Sequence, residues 1–217
     1  MDLYHVLNRG VDKRAVVLDD SDRARFIHNL FAFNDADIVQ HISQPQRQHE
    51  TLKTPRKLLV RIHAFCLMDN HYHLLISEVV ENGISLFMQK LNMGYSKYFN
   101  ERYDRVGALW QGKHKRILIE RDGHYAYIPY YIHLNPLDYS MPEWRAGEVK
   151  NTEKALQILQ EYRWSSHIDY LSEKNFPSIS YRDLLSGALG SRRSYEKELC
   201  SIMTNSSRSA SAEDIEN

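Results

Sequence analysis

The sequence has few of the features that mark secreted, membrane-spanning or polyanion-coating proteins. Its 217 residues include only two cysteines, Cys66 and Cys200, which is too few for a disulfide framework. No apolar run approaches the roughly 18 residues that cross a bilayer. The first residues become polar within a few positions, unlike a secretory signal. The formal net charge is zero, which excludes a surface that is basic throughout. We therefore expect a globular cytoplasmic protein with reduced thiols and no membrane partner.

Positive charge is nevertheless concentrated in a few short groups. The stretch "GKHKRILI" brings four basic or titratable side chains together, and another basic residue follows the first predicted strand. Such groups could contact phosphate, although a solvated run of charges is a serious alternative reading. The candidate phosphate contacts are Arg9, Lys113, His114, Lys115 and Arg116.

The order of sequence patterns predicts an α+β fold. Alternating or apolar runs predict strands within 3–7, 58–68, 71–79 and 115–119, and helical spacing of apolar residues predicts helices after Asp20 and over 84–103. The resulting order, β-α-β-β-α-β, is that of a ferredoxin-like antiparallel sheet with two helices on one face. The other face is expected to be open and available for a site.

A third helix is expected in the aromatic-rich segment "HYAYIPYYIHLNP", where it could cover part of that open face. Pro129 should mark the beginning or a kink of this helix, and Pro136 should limit its end. We expect a main domain over residues 1–140, an extension with a small helical tail packed on it over 141–203, and a disordered tail over 204–217. The polar segment 43–57 is predicted to be a mobile loop.

One short stretch, "LMDNHYHLLIS", places two histidines on a predicted strand. His71 and His73 are two residues apart and therefore share one face, where both imidazoles could reach a single cation. The alternative is a pair of half-exposed histidines on a wet sheet face. Tyr131 and Asn135, four residues apart on the third helix, also share a face. If that face meets the histidines, a divalent ion on the imidazoles and the amide could polarise a phosphate while the phenol attacks it.

These motifs, in this order, resemble a known protein family. "MDNHYHLLI" is similar to the HUH motif of single-tyrosine transposases, also called IS200-like, and "YIHLNP" is similar to the tyrosine helix of their REP-associated tyrosine transposase branch. The segments "YHVLNRG", "LWQGKHKRILI" and "YRWSS" resemble further landmarks of that branch, so the resemblance covers roughly residues 4–166. Two features depart from its pattern: Pro129 stands two residues before the tyrosine, and Leu137-Asp138-Tyr139 follow the Asn-Pro pair.

The resemblance implies a function and a residue for each role. His71, His73 and Asn135 would bind Mg²⁺ or Mn²⁺, and Tyr131 would cut DNA to leave a 5′-phosphotyrosine and a free 3′-hydroxyl. The implied enzyme is a DNA nicking and joining transposase that acts on single-stranded or hairpin DNA containing REP-like palindromic repeats. Such an enzyme would be associated with the nucleoid of a prokaryotic cell, as a monomer or a homodimer.

Three alternatives remain open at this point. A rolling-circle replication initiator or relaxase would use the same chemistry, a DNA-binding regulator would keep the fold without cutting, and a small-molecule metallohydrolase would need no DNA. Three nearby residues also need an assignment. His63 could support a metal-binding histidine or simply pack. His133 should be structural, and Tyr130 should point about 100° away from Tyr131 around the helix.

Overall fold

The fold is built on one antiparallel sheet. The computed structural model describes residues 1–37, 56–120 and 122–206, so most of the predicted mobile loop and the tail beyond residue 206 lie outside the described residues. The strands are β1 (Tyr4–Arg9), β2 (Val60–Leu67), β3 (His71–Glu78) and β4 (Lys115–Leu118). They lie in the order β2-β3-β1-β4, and every neighbouring pair is antiparallel. The predicted ferredoxin-like arrangement is confirmed.

Two helices cover one face of this sheet, as the sequence predicts. They are α1 (Asp20–Ala32) and α2 (Gly83–Arg102). Alternation along β1 and β3 sends Val6, Tyr72 and Leu74 into the core beneath these helices, where they are buried with Phe26 and Tyr95. Because side chains alternate, the odd-numbered residues of β1 and β3 face the opposite side. The histidines of both strands therefore share that second face.

The second face of the sheet is covered, which corrects the expectation of an open face. Helix α3 (Asp122–Leu134) packs on β2 and β3, and behind it lie four further helices of the extension. These are α4 (Thr152–Glu161), α5 (His167–Tyr170), α6 (Asp183–Leu189) and α7 (Arg192–Met203). The sequence pattern detects α3 but does not indicate how completely the extension closes over the sheet.

Pro129 lies inside α3 and does not begin it, which leaves the expected kink as the alternative. Pro136 limits α3 as expected, because the α-helix ends at Leu134. Asn135–Tyr139 then form a short 3-10 helix with the proline near its start. A second 3-10 segment, Pro142–Ala146, follows directly. The proposed boundary at residue 140 stays a prediction, since residues on both sides of it share one hydrophobic core with the extension.

A buried polar network fastens α3 to the extension. His133 bonds through Nε2 to the Ser166 hydroxyl (2.7 Å) and through Nδ1 to the Tyr195 hydroxyl (2.7 Å). The same Tyr195 hydroxyl is 2.8 Å from Nδ1 of His167. The network holds α3, α5 and α7 in one register behind the sheet. Among the described helices, none is long and apolar enough to cross a bilayer.

Candidate active site

The site lies between the middle of the sheet and α3. On β3 the rings of His71 and His73 have centroids 4.9 Å apart, and the ring of His5 on β1 stacks on His73 at 5.1 Å. Tyr131 of α3 approaches from above, with its ring centroid 5.6 Å from His73 and 6.1 Å from His5. The structure therefore brings the predicted histidines and the predicted tyrosine together.

His5 is a site residue that the sequence analysis missed. In the β1–β3 register His5 lies opposite Leu75 and Leu7 lies opposite His73, so His5 is diagonal to His73 on the same face. Its Nε2 atom is 2.9 Å from Nδ1 of His73. The alternation along β1 indicates from the sequence that His5 shares a face with Leu7. Only the register between β1 and β3 shows that His5 meets His73.

The histidines and the tyrosine are buried, which corrects the alternative of a wet sheet face. His73, Tyr131 and Asn135 are fully buried and His71 is 6% exposed. Burial lowers the pKa of His73 well below its usual value. The neighbouring His71 and His5 and, more weakly, nearby arginines lower it further. His73 is therefore neutral at pH 7, which is the form that binds metal ions.

The nitrogen atoms of His73 fit the environment of a metal ligand. With Nδ1 bonded to His5, the buried Nε2 has no hydrogen-bond partner within the described part of the chain. Nδ1 of His71 is 2.6 Å from the side-chain oxygen of Asn70, which orients that ring. Metal-binding histidines usually have one nitrogen oriented in this way by a neighbour. Among the described residues, no group of three or more His, Cys, Asp or Glu side chains is placed to hold a metal ion.

Asn135 supplies an amide beside the phenol. Its Nδ2 donates to the backbone oxygen of Tyr131 (2.8 Å), one turn earlier, which fixes the side chain at the end of α3. Its Oδ1 accepts a hydrogen bond from Nη2 of Arg145 at 3.3 Å. Nη1 of the same arginine donates to the Tyr131 hydroxyl at 3.2 Å. One guanidinium therefore contacts both the phenol oxygen and the amide oxygen.

Arg145 is the second site residue that the sequence analysis missed. It lies in the 3-10 segment Pro142–Ala146, beyond the motifs. Nε and Nη2 of Arg145 donate to the two carboxylate oxygens of Asp138, at 2.9 and 2.7 Å. Asp138 belongs to the Leu-Asp-Tyr stretch that departs from the family pattern. Its role here is to hold the arginine that reaches the phenol.

The neighbouring aromatic and histidine residues have structural contacts. Tyr130 faces away from the site and stacks on Tyr195, with centroids 5.4 Å apart. His63 bonds through Nε2 to the Ser77 hydroxyl (2.8 Å) and through Nδ1 to the backbone oxygen of Tyr181 (3.2 Å). His63 therefore packs on the sheet and does not support either site histidine.

The predicted phosphate contacts separate into two groups. Arg9, Lys113 and Lys115 line a surface pocket of about 340 Å³ with residues of the loop before β4, and Arg9 lies opposite His71 in the β1–β3 register. We call this pocket the basic pocket. Because Arg9 is paired with His71, the basic pocket lies next to the site. Arg116 instead lies over the ring of Tyr4 at 3.9 Å and is 3.6 Å from the carboxylate of Glu78. His114 does not line the basic pocket, and burial followed by the charges of Arg116 and Lys113 lowers its pKa.

Comparison with known proteins finds a similarity to one family over the segment that contains the site. Residues 47–135 match the family described as "Transposase IS200 like". No curated protein matches the chain. A solved structure described as "Structure of the REP associates tyrosine transposase bound to a REP hairpin" is similar at 13% identity and a TM-score of 0.47, covering 84% of this chain and 87% of that one. The matched segment contains His71, His73, Tyr131 and Asn135. Residues 47–135, which include these four residues, are therefore similar to the IS200-like transposase family.

Proposed function

We propose that the protein is a metal-dependent endonuclease and strand transferase for single-stranded DNA, with Tyr131 as its nucleophile. The observation that carries this proposal is the packing of Tyr131 against His73, which lies beside His71, inside the segment that is similar to the transposase family. Arg145 contacts both the Tyr131 hydroxyl and the Asn135 amide oxygen. A phenol can serve as a nucleophile, and imidazoles and an amide oxygen can serve as ligands for a divalent cation.

His71, His73 and Asn135 are the residues that would hold Mg²⁺ or Mn²⁺. When bound, the ion supplies polarisation of the phosphate and stabilisation of the leaving oxygen. The protein side chains do the rest. His5 fixes the ring of His73 through the 2.9 Å contact between Nε2 and Nδ1, and α3 fixes the phenol in the position for attack.

The reaction balances as a transesterification. The Tyr131 oxygen forms a bond to phosphorus, and the bond between phosphorus and the 3′ oxygen breaks. The phenol loses its proton as it attacks, and the departing 3′ oxygen gains one proton to become a hydroxyl, so the step is neutral in protons. The 5′ side of the DNA remains attached to the tyrosine until a 3′-hydroxyl reverses the step, so the energy of the broken bond is retained for joining.

The proposed substrate is hairpin DNA with a single-stranded flank, containing REP-like palindromic repeats. The motifs that indicate this branch meet around the site. The end of β1 pairs with the "LWQG" segment, since Gly10 bridges to Trp110 and the Gln111 amide donates to the Arg9 oxygen (2.8 Å). The "YRWSS" segment pairs with β2 through a bridge between Cys66 and Ser165. The basic pocket beside these segments would bind the backbone of the flank.

The test is a covalent adduct. The protein is incubated with Mg²⁺ or Mn²⁺ and labelled single-stranded DNA containing the repeats that flank its own gene, and the products are separated on a denaturing gel. The wild type should give a band of protein joined to DNA. Tyr131→Phe should bind the same DNA without the adduct, and the matched control Tyr130→Phe should still form it, because that ring faces Tyr195.

The alternatives give different outcomes in the same assay. A non-cleaving regulator would shift the hairpin on a native gel and never form an adduct. A metallohydrolase would ignore the DNA and act on a small phosphate ester. An adduct that persists in Tyr131→Phe and disappears in Tyr130→Phe would show that the opposite face of α3 carries the nucleophile.

A further inference from the structure

Arg145 makes contacts that the proposed metal and nucleophile roles do not explain. Its Nη1 donates to the Tyr131 hydroxyl at 3.2 Å and its Nη2 to Asn135 Oδ1 at 3.3 Å. The guanidinium carbon lies 5.4 Å from the Tyr131 ring centroid and 4.8 Å from that of Trp144. A purely structural ion pair with Asp138 would not require two further nitrogen contacts with oxygens of the site.

The arginine comes from outside the segment that matches the family. The match ends at residue 135, and Arg145 follows in the 3-10 segment Pro142–Ala146. That segment ends at Gly147, whose φ of 70° favours glycine. A Cβ atom at Gly147 would lie 2.4 Å from the backbone of Asn205, and the Val149 amide donates to the Met203 oxygen at 3.0 Å. The end of α7 thus holds the turn that presents Arg145.

Asp138 fixes the direction of the guanidinium. The carboxylate accepts from Nε and Nη2 of Arg145, and its Oδ1 also accepts from the Trp144 indole at 2.7 Å. A bidentate pair of this kind holds the guanidinium plane in one orientation. The Arg145 side chain keeps 31% of its surface exposed, so the cation is accessible at the edge of an otherwise buried site.

We propose that Arg145 is a catalytic residue that binds the phosphoryl oxygens of the scissile phosphate as Tyr131 attacks it. This inference rests on the proposed function. When the tyrosine oxygen bonds to phosphorus, the non-bridging oxygens come next to that oxygen and hence next to the nitrogen that already contacts it. A guanidinium is suited to such oxygens because it is planar and permanently charged. The same contact assists the reverse step, in which the tyrosine oxygen leaves.

The test uses the charge of the phosphate. Wild type, Arg145→Met and Arg145→Lys are compared on the repeat DNA of the adduct assay, and on the same DNA with a methylphosphonate at the cleaved position. A methylphosphonate has no negative charge, so it needs no cation. On the phosphodiester, Arg145→Met should form adduct about 100-fold more slowly than wild type, with the lysine variant in between. On the methylphosphonate the deficit of Arg145→Met should fall below about 10-fold.

A structural role would slow both substrates equally, and that outcome would overturn the inference. A wild-type rate for Arg145→Met on the phosphodiester would overturn it as well. The matched control is Arg192→Met, because Arg192 is another ion-paired arginine of the extension, bonded to Glu173 and Glu196 away from the site. Its rates should equal those of wild type on both substrates.

Removal of Arg145 leaves the Asp138 carboxylate without its ion pair, which could unfold the turn. The double variant Asp138→Asn/Arg145→Met removes that charge and should show the same preference for the neutral substrate. Failure of the two proposals is distinguishable. Absence of an adduct in wild type on the phosphodiester refutes the proposed function and this inference with it, whereas an adduct of wild type with equal deficits of Arg145→Met refutes the arginine role alone.

Discussion

Two groups of buried histidines lie on the same side of the sheet and differ in how their nitrogens are used. The site histidines are His5, His71 and His73, and the scaffold histidines are His63, His133 and His167. Both ring nitrogens of His63 and of His133 have protein partners. In contrast, Nε2 of His73 has none within the described residues.

The difference separates a histidine whose ring nitrogens are used within the scaffold from one to which we assign the proposed metal role. A buried polar atom without a hydrogen-bond partner lowers the stability of the fold. Such an atom in a native structure therefore indicates a role other than stability, for example binding a ligand. Burial of the ring alone does not separate the groups, since His73 and His133 are both fully buried. The number of ring nitrogens with protein partners does separate His73 from His133, and mutations of these two residues should therefore fail in different ways.

The largest expected effect is at His73. His73→Ala should reduce adduct formation by more than about 100-fold, because one of the three proposed ligands of the ion is lost. His133→Ala should instead lower the free energy of unfolding by about 2–4 kcal/mol, since it leaves the Ser166 and Tyr195 hydroxyls without their partner. Urea unfolding and adduct yield per folded molecule, measured on both variants, check the contrast. Equal activity loss in the two would remove the distinction between the groups.

His5 should have a smaller effect that acts through His73. His5→Phe keeps an aromatic ring stacked on His73 but removes the nitrogen 2.9 Å from its Nδ1. Loss of such an orienting contact typically weakens metal binding about 10–100-fold. Adduct formation should therefore need about that much more Mn²⁺ to reach half its maximal rate and should recover at saturation. An unchanged metal requirement would assign His5 to packing.

Lowering the pH should reduce the free energy of unfolding through the scaffold histidines. Burial, the main cause, lowers the pKa of His63 to about 4 and that of His167 to about 3. Below pH 6.5 the unfolded chain binds protons that these buried rings do not, so the free energy of unfolding falls as pH falls toward 4. Each ring contributes up to about 1.4 kcal/mol per pH unit in that range. Urea unfolding between pH 7 and 4.5 measures the slope, and His167→Gln should make it shallower.

The smallest effect is expected at the basic pocket. Changing Lys113 and Lys115 to Gln should weaken hairpin binding and reduce the slope of log affinity against log salt concentration, by about 0.7 for each contact with a single strand. The matched control is Arg116→Gln, because Arg116 lies over Tyr4 and beside Glu78 and does not line the pocket. A larger change of slope in the control would move the DNA path to the other face of β4.

Local periodicity was sufficient to predict much of the fold and part of the site. The spacing of His71 and His73 along a strand, and of Tyr131 and Asn135 along a helix, fixes which side chains share a face. His5 and Arg145 could not be found in this way. The first depends on the register between β1 and β3, and the second on a turn that α7 holds in place. Both relations join distant parts of the chain.

The expectation of an open face was wrong for a related reason. A single amphipathic pattern shows that a helix has an apolar side, but not how many other elements will pack around it. Here the core that buries Tyr131 also contains Trp144, Leu159, Leu185 and Leu199, which the sequence spreads over more than fifty residues of the extension. Closure over the sheet is therefore a property of the assembled extension.

The burial of Tyr131 has a consequence for the lifetime of a covalent intermediate on this residue. Its side chain has no exposed surface and is enclosed by His5, His73 and Trp144. A bond between this tyrosine and DNA would be sheltered from bulk water, which is the competitor that would release the strand unjoined. The enclosure would therefore lengthen the lifetime of the covalent protein–DNA intermediate until the second DNA end arrives. It would also slow the binding of the first DNA end.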